Sequence, residues 1–417
     1  MHNHKNGSFT NSLGFVLACV GSAVGLGNIW MFPYRLGEYG GAAFLIPYIF
    51  FICLFGFVGL SAEFAIGRKV GKVLGWIPLL GSLGIAIGYS VIIGWVLRFL
   101  CGSVTNTVLE QDSAEYFADV TAFMGNVPWH VLVIAITVIV LLIGAATQIE
   151  KANKILMPLF FVLFSILAVR VFFLPGAKEG YEFLFVPKWE ALANIDTWVM
   201  AMGQAFFSLS ITGSGMIVYG SYLSKKEDIP RASMQTAFFD TIAAMLFALA
   251  IMLAVFDFGI VPSAGLFLMF VIFPNIFKQM PMGRLFAVIF FLSVCFAGIT
   301  SLINMFEAVI ESWQHKFKLK RNHAVLLCGA LTLIVGLFME EEARVGTWMD
   351  FITIIVVPFG AVLGAISIYY ILGFDKIKEE LEEGRKKGLS KIFKPTAKYI
   401  YVPLPLIASI LGPAHKG

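Results

Sequence analysis

The chain has 417 residues, 59% of them hydrophobic and 13% charged, against the roughly 25% charged usual in soluble domains. With a mean hydropathy of +0.86, this excludes a soluble globular protein, a disordered chain and a disulfide scaffold, and leaves a polytopic membrane protein whose surroundings are the lipid bilayer. The formal net charge of +4 is too small to point to nucleic acid.

About 20 apolar residues are needed for a helix to cross the hydrocarbon core. Ten stretches qualify, at about 12–36, 42–66, 77–101, 130–147, 153–174, 196–222, 233–258, 284–312, 324–339 and 348–373. An eleventh, about 399–411, is short and carries Pro403 and Pro405. The apolar stretch 262–282 is broken by Pro262, Pro274 and Pro281 and reads as a helical loop outside the membrane. The run 375–394 is charged and reads as a helical, solvated cytoplasmic linker. The first apolar run is too long for a signal peptide and lacks a small-x-small cleavage site. Cys19, Cys53, Cys101, Cys295 and Cys328 lie in or beside apolar runs at uneven spacings, so they read as small hydrophobes.

Positive charge collects on the cytoplasmic side of a membrane protein. Placing the N-terminus inside puts 21 of the 30 Lys and Arg residues in inner segments. The acidic Glu110, Asp112, Glu115, Asp119 and Glu340–Glu342 then fall outside. The expectation is a multi-pass protein of the inner or plasma membrane with a cytoplasmic N-terminus.

Two spans carry breaks near their middles. The first contains Gly21-Ser-Ala-Val-Gly25-Leu-Gly27-Asn28, and the sixth contains Ser208-Leu-Ser210-Ile-Thr212-Gly213-Ser214-Gly215. Glycines loosen a helix and hydroxyls compete for its backbone bonds. Unpaired backbone at that depth is tolerated only where it lines a cavity or is buried in protein. Spans one and six each open a five-helix half, and interrupted helices at matching positions of two halves point to a transporter's binding site. Close packing on small residues is the plainer alternative for either cluster alone.

The stretch GSAVGLGNIWMFPYRLGEYGGAAFLIPY (21–48) resembles the first-helix signature of the neurotransmitter:sodium symporter family. The resemblance continues through SAEFAIGR (61–68), MGQAFFSLS (202–210), PMG (281–283), FAGITS (296–301) and WMDF (348–351), and spans about residues 9–410. It implies the bacterial amino-acid transporter branch and the all-α integral membrane fold of the bacterial leucine transporter: about 11 transmembrane helices, five-plus-five inverted repeats with helices 1 and 6 broken, and alternating access. The expected layout is one transporter domain over 1–417. Repeat one covers about 12–174, repeat two about 196–373, and an extra C-terminal helix about 399–411.

The family carries two sodium sites. By resemblance, the first falls on the Ala23 carbonyl, Asn28, Ser208 and Asp240. The second falls on the Gly21 and Val24 carbonyls, the Ala297 carbonyl, Thr300 and Ser301. Sodium wants several oxygen ligands, which lipid cannot supply. Ala297, Thr300 and Ser301 are spaced i, i+3, i+4 and so share a helix face; taken alone, the two hydroxyls fit equally a bond back to their own helix. A buried acid in a membrane helix is functional by default, so Asp240 is the sharpest residue, unless it faces water at the inner end of its span. Family members often carry Asn there and recruit chloride for charge compensation. Asp240 therefore leads to the expectation of no chloride requirement.

The resemblance places the substrate at Ala23, Gly25, Leu26, Gly27, Ile85, Tyr89, Phe207, Ser208, Ser210, Gly213, Ser301 and Met305. Exposed amides of Leu26 and Gly27 at a helix break favour an anion, and Tyr89 matches the family tyrosine that bonds a substrate carboxylate. Gly25 stands where monoamine carriers have an aspartate, so the substrate is expected to bring its own carboxylate. No charged side chain lines the predicted pocket, which favours a neutral, apolar side chain. Gly213 enlarges that pocket relative to the phenylalanine of the bacterial leucine transporter. Met31 replaces the usual outer-gate arginine, and Arg35, one turn along, is the expected substitute opposite Asp350, with Tyr89 and Phe207 as the thin lid. The usual inner latch is also absent, Lys5 and Phe9 being its nearest equivalents. In span five, Gln148 stands where some members have a glycine ten residues before the proline, here Pro158.

The reading is a sodium-coupled symporter of neutral, apolar amino acids and not an enzyme: HExxH, G-x-S-x-G and Walker-A patterns are absent. The alternatives are a transport-deficient amino-acid sensor, for which Met31 and Gln148 speak, and a proton-coupled or osmolyte carrier of the same fold.

Overall fold

In lipid a backbone must satisfy its own polar groups, and the computed structural model of the chain has no strand among its described residues. Those residues are 15–16, 19–20, 23–70, 76–143, 145–173, 176–211, 215–221, 223–257, 259, 265–404 and 406–407, the side chains at 70, 76–78, 145–157, 163 and 215 excepted. Gly21, Gly213, Lys5 and Phe9 lie outside them.

The helices run in chain order as α1 (27–38), α2 (Ala42–Lys69), α3 (Trp76–Thr105), α4 (Val127–Ile143), α5 (Ala145–Phe172), α6 (Ile195–Ser208), α7 (Gly215–Ser221), α8 (Ile229–Asp257), α9 (Gly283–Phe317), α10 (Arg321–Leu337), α11 (Glu342–Glu382) and α12 (393–401). Among the described residues five of them, α2, α3, α8, α9 and α11, are each long and apolar enough to cross a membrane on their own. Outward-facing Ile46, Ile49, Phe50, Val131, Leu132, Leu326 and Leu327 are exposed large hydrophobics, which is the surface a bilayer would cover. Helix α3 is the central post: it packs along α9, α4, α10 and α11. Gly298 on α9 makes that approach possible, since a Cβ there would stand 2.8 Å from Ile93 Cγ1.

Most helices outrun the apolar stretches that announce them. The tenth stretch lies within α11, which reaches from Glu342 to Glu382 through two π turns and positive-φ Gly373 (φ +94°). The fifth starts at Ala145, eight residues before the apolar run, because a helix continues into the aqueous boundary once its backbone bonds are made. The stretch 262–282 is helical over Leu268–Ile272 and Phe273–Lys278. Phe270 stacks on Phe117 of the helix Ser113–Val120 at 5.2 Å and lies 4.8 Å from Phe99 of α3. Asp112 caps that helix, and the Glu115 and Ala114 amides hold its carboxyl below the usual carboxylate range.

The charged run 375–394 departs from the solvated segment expected of it. Its helical part, the end of α11 over Phe374–Glu382, buries Phe374, Ile377, Glu380 and Leu381 against the C-terminal end of α2. There Arg68 pairs with Glu380 at 2.5 Å and also donates to the Glu227 and Ser224 carbonyls at 3.0 and 3.2 Å. Arg68 thus ties together segments more than 150 residues apart, all of which the charge pattern assigns to one side of the membrane.

Candidate functional site

The two breaks are built differently. The first helix loses its regular ladder at Val24–Gly25 and resumes through a π turn, Gly27–Met31, whose closing bond runs from Phe32 N–H to the Gly27 carbonyl. Asn28 N–H reaches back to the Gly25 carbonyl at 3.1 Å. Helix α6 stops on Ser210, a non-glycine residue in the left-handed region (φ +53°). Ser210 N–H bonds the Phe207 carbonyl and Ile211 N–H bonds the Phe206 carbonyl, both at 3.0 Å. That pair of bonds is a Schellman stop, in which glycine is the usual residue at the left-handed position. Serine there is strained, and such strain clusters at functional sites.

Beside the breaks, α8 presents Asp240. Asn28, Ser208 and Asp240 are at most 1% exposed. Asn28 Nδ2 donates to Asp240 Oδ1 at 2.7 Å and to the Asp240 carbonyl at 3.3 Å. Ser208 Oγ lies 2.6 Å from Asp240 Oδ2 and 3.1 Å from Asn28 Oδ1. A serine hydroxyl has one proton. Given to the carboxylate, it leaves Asn28 Oδ1 facing a second oxygen without that proton between them. Tyr48 Oη on α2, 3.4 Å from Ser208 Oγ, adds a further oxygen. A buried, oxygen-rich cluster around one carboxyl group suits a hard monovalent cation, whose charge would hold that group ionised.

A second grouping lies against the first break. Gly27 N–H donates to Tyr89 Oη of α3 at 3.1 Å. A Cβ on Gly25 would stand 3.0 Å from both Tyr89 Oη and Ser301 Oγ, so these three residues converge. A Cβ on Gly27 would fall 2.3 Å from Phe207 Cε1. The Phe207 and Tyr89 rings meet edge to face, with centroids 6.2 Å apart. Ile85 is buried one turn before Tyr89, and Met305 is half-buried one turn after Ser301. Ala23, Val24 and Leu26 are buried at the break, while Ser210 is half-buried at the other.

On α9, Ala297, Thr300 and Ser301 are buried together on one face. Thr300 Oγ1 donates back to the Phe296 and Ala297 carbonyls, each at 3.0 Å. Its proton is therefore used within the helix while its lone pairs remain available.

Arg35 is 1% exposed. Its hydrogen bonds run to Gln204 Oε1 at 3.0 Å and Thr353 Oγ1 at 3.2 Å. Thr353 lies one turn beyond the half-buried Asp350 on α11. Gln204 Nε2 in turn donates to the Gly27 carbonyl at 3.4 Å, so one side chain links Arg35 to the first break. Sequence reasoning passed over Gln204, Tyr48 and Thr353. The first two stand inside motifs already singled out, four residues before Ser208 and at the end of IPY (46–48); for Thr353 no local signal exists.

The model of the sodium:neurotransmitter symporter family matches residues 6–121 and 110–408. An uncharacterized sodium-dependent transporter of Bacillus subtilis, YhdH, is 31% identical over 99% of this chain and 98% of its own length. One from Methanocaldococcus jannaschii, MJ1319, is 33% identical over 90% of this chain and 84% of its own length. The crystal structure of MhsT in complex with L-phenylalanine superposes with a TM-score of 0.90 at 30% identity, covering 98% of this chain and 99% of that one. The chain belongs to the sodium:neurotransmitter symporter family. It is an all-α, multi-pass membrane transporter with the fold of the bacterial leucine transporter, and not an enzyme.

Proposed function

We propose that the protein couples sodium entry to the uptake of a neutral, apolar amino acid. The observation that carries this reading is the cluster of Asn28, Ser208 and Asp240, which gathers oxygens from both broken helices around one fully buried carboxylate. An isolated buried carboxylate in a membrane costs several kcal/mol. A sodium ion there, completed by the Ala23 carbonyl and the substrate's carboxylate, offsets that cost and ties α1, α6 and α8 together. The second sodium site would take the Gly21, Val24 and Ala297 carbonyls with Thr300 and Ser301.

The substrate's carboxylate would take the Leu26 and Gly27 amides and the Tyr89 hydroxyl. A Cβ at position 25 already meets Tyr89 and Ser301 at 3.0 Å, so an aspartate there is excluded without rearrangement. That supports an amino acid over a monoamine. Phe207 and Tyr89 cover the substrate, Ile85, Ser210, Gly213 and Met305 would surround its side chain, and Arg35 with Asp350 would close the outer vestibule above. The L-phenylalanine bound to MhsT supports a large apolar side chain. Asp240 supplies the negative charge for which other members use chloride, so uptake should proceed without it.

Coupling is linkage: substrate completes the first sodium site, each ligand raises the other's affinity, and the filled site favours inward opening. The test is uptake by reconstituted protein. A sodium gradient in chloride-free buffer should drive accumulation of large apolar amino acids. Accumulation that ignores sodium would overturn the coupling, and a strict chloride requirement would overturn the role given to Asp240.

A further inference from the structure

A cavity of about 790 Å³ opens at the end of the molecule where the basic segments meet, within the roughly 300–1,000 Å³ typical of ligand pockets. Its walls come from the start of α8, the loop before it and the linker after α11. Five basic residues line it: Lys226, Arg231, Arg385, Lys386 and Lys387. The two acids that also line it, Glu227 and Asp228, leave an excess of positive charge.

Asp228 is already engaged. It accepts the Arg231 backbone N–H at 3.1 Å and lies 3.5 Å from Arg385 Nε, which is buried and makes no hydrogen bond. Among the described ion pairs none involves Lys226, Arg231, Lys386 or Lys387. The wall is also held firmly. Arg68 bonds carbonyls on both sides of the seam, at Ser224 and Glu227 and at Glu383. Lys225 pairs with Glu383 at 3.3 Å. Gly384, with φ +84°, approaches so closely that a Cβ would meet the Glu227 carbonyl at 2.6 Å.

The other wall is apolar, with Val16 of the first span and Phe239 of α8. On the same stretch of α8, Met234 and Phe238 are exposed, Phe238 to 61%. The cavity therefore stands where cationic side chains border a surface suited to acyl chains. Basic pockets at the cytoplasmic ends of membrane helices recognise anionic headgroups.

We propose that this cavity binds the phosphate of an anionic phospholipid headgroup, gripped by Arg231, Lys386 and Lys387, with the acyl chains along Phe238 and Phe239. Such a lipid bridges α8 to the linker after α11 and stabilises their docked arrangement. The chemistry recognised is a phosphate anion, so free phosphate is the competing source.

The test uses the full-length protein in detergent, with thermal unfolding as the readout, and so does not depend on what the protein transports. Phosphatidylglycerol in mixed micelles should raise the melting temperature by several degrees through selective binding to the folded state, while phosphatidylcholine should not. The triple variant R231A/K386A/K387A should melt with the wild type in phosphatidylcholine and lose most of the phosphatidylglycerol shift, and K386R/K387R should keep it. If the triple variant melts early by itself, the single variants K386A and K387A, on exposed side chains, should each lose part of the shift. Inorganic phosphate alone should give a smaller rise and compete with the lipid. A full rise with inorganic phosphate and no added effect of lipid would overturn the lipid assignment. A phosphatidylglycerol shift that survives the triple substitution, or no shift at all, would overturn the site.

Discussion

The two oxygen clusters beside the helix breaks differ in how they are held. Asn28, Ser208 and Asp240 come from three helices and share a buried carboxylate, so the cluster exists only when α1, α6 and α8 are together. Ala297, Thr300 and Ser301 come from one helix and carry no charge, and Thr300 already bonds back to its own turn. The first cluster can therefore report on assembly of the broken helices, whereas the second is preformed on α9 and would act by what it attracts from the first span. The contrast gives an order of sensitivity.

The largest effect should come from Asp240. Asp240→Ala leaves the Asn28 amide and the Ser208 hydroxyl without their buried acceptor. A loss of about 3 kcal/mol, on the order of a hundredfold in sodium affinity, is expected from breaking such a cluster, read as sodium dependence of uptake or melting. Asp240→Asn keeps the shape and removes the charge, and should make uptake respond to chloride. Next comes Gly27→Ala, whose methyl must displace the Phe207 ring from 2.3 Å. It should abolish amino-acid binding while leaving the protein folded, as judged by gel filtration.

Tyr89→Phe removes the hydroxyl that accepts the Gly27 amide. Loss of a hydrogen bond to a charged ligand group is worth about 1.5–3 kcal/mol, so substrate affinity should fall at least tenfold with little change in sodium-only stabilisation. The smallest effect is expected from Thr300→Val. The valine loses an uncharged oxygen from a row with other ligands and should weaken sodium affinity by less than tenfold. If Thr300→Val instead matched Asp240→Ala, the contrast between the clusters would fail.

Much of this arrangement is legible in the chain because the signals are local. Breaks at Gly25 and Ser210 stand out against apolar helices, an acid at 240 is conspicuous in such a span, and the apolar run lengths announce the helices. What is not legible is tertiary. Arg35 lies one turn beyond Met31, as spacing suggests, but nothing local says that its guanidinium reaches Gln204 and Thr353, 169 and 318 residues away. Charge pattern alone places the run 375–394 in water, and only the docked Ile377 and Leu381 and the Arg68–Glu380 pair reveal that its helix is part of the folded body. Helix ends run past their apolar runs because hydropathy reports the surroundings of a helix rather than where its hydrogen bonds stop.

The central claim is that sodium and a neutral amino acid meet at the junction of the two breaks and bind as one unit through Asp240. The most direct test is a reciprocal titration on the purified protein: amino-acid affinity in sodium against potassium, and sodium affinity with and without saturating L-phenylalanine, for the wild type and Asp240→Ala. The account predicts that each ligand tightens the other by the same factor in the wild type, as linkage requires, and that the factor falls to one in the variant. Equal amino-acid affinities in sodium and potassium, or undiminished coupling in Asp240→Ala, would contradict it.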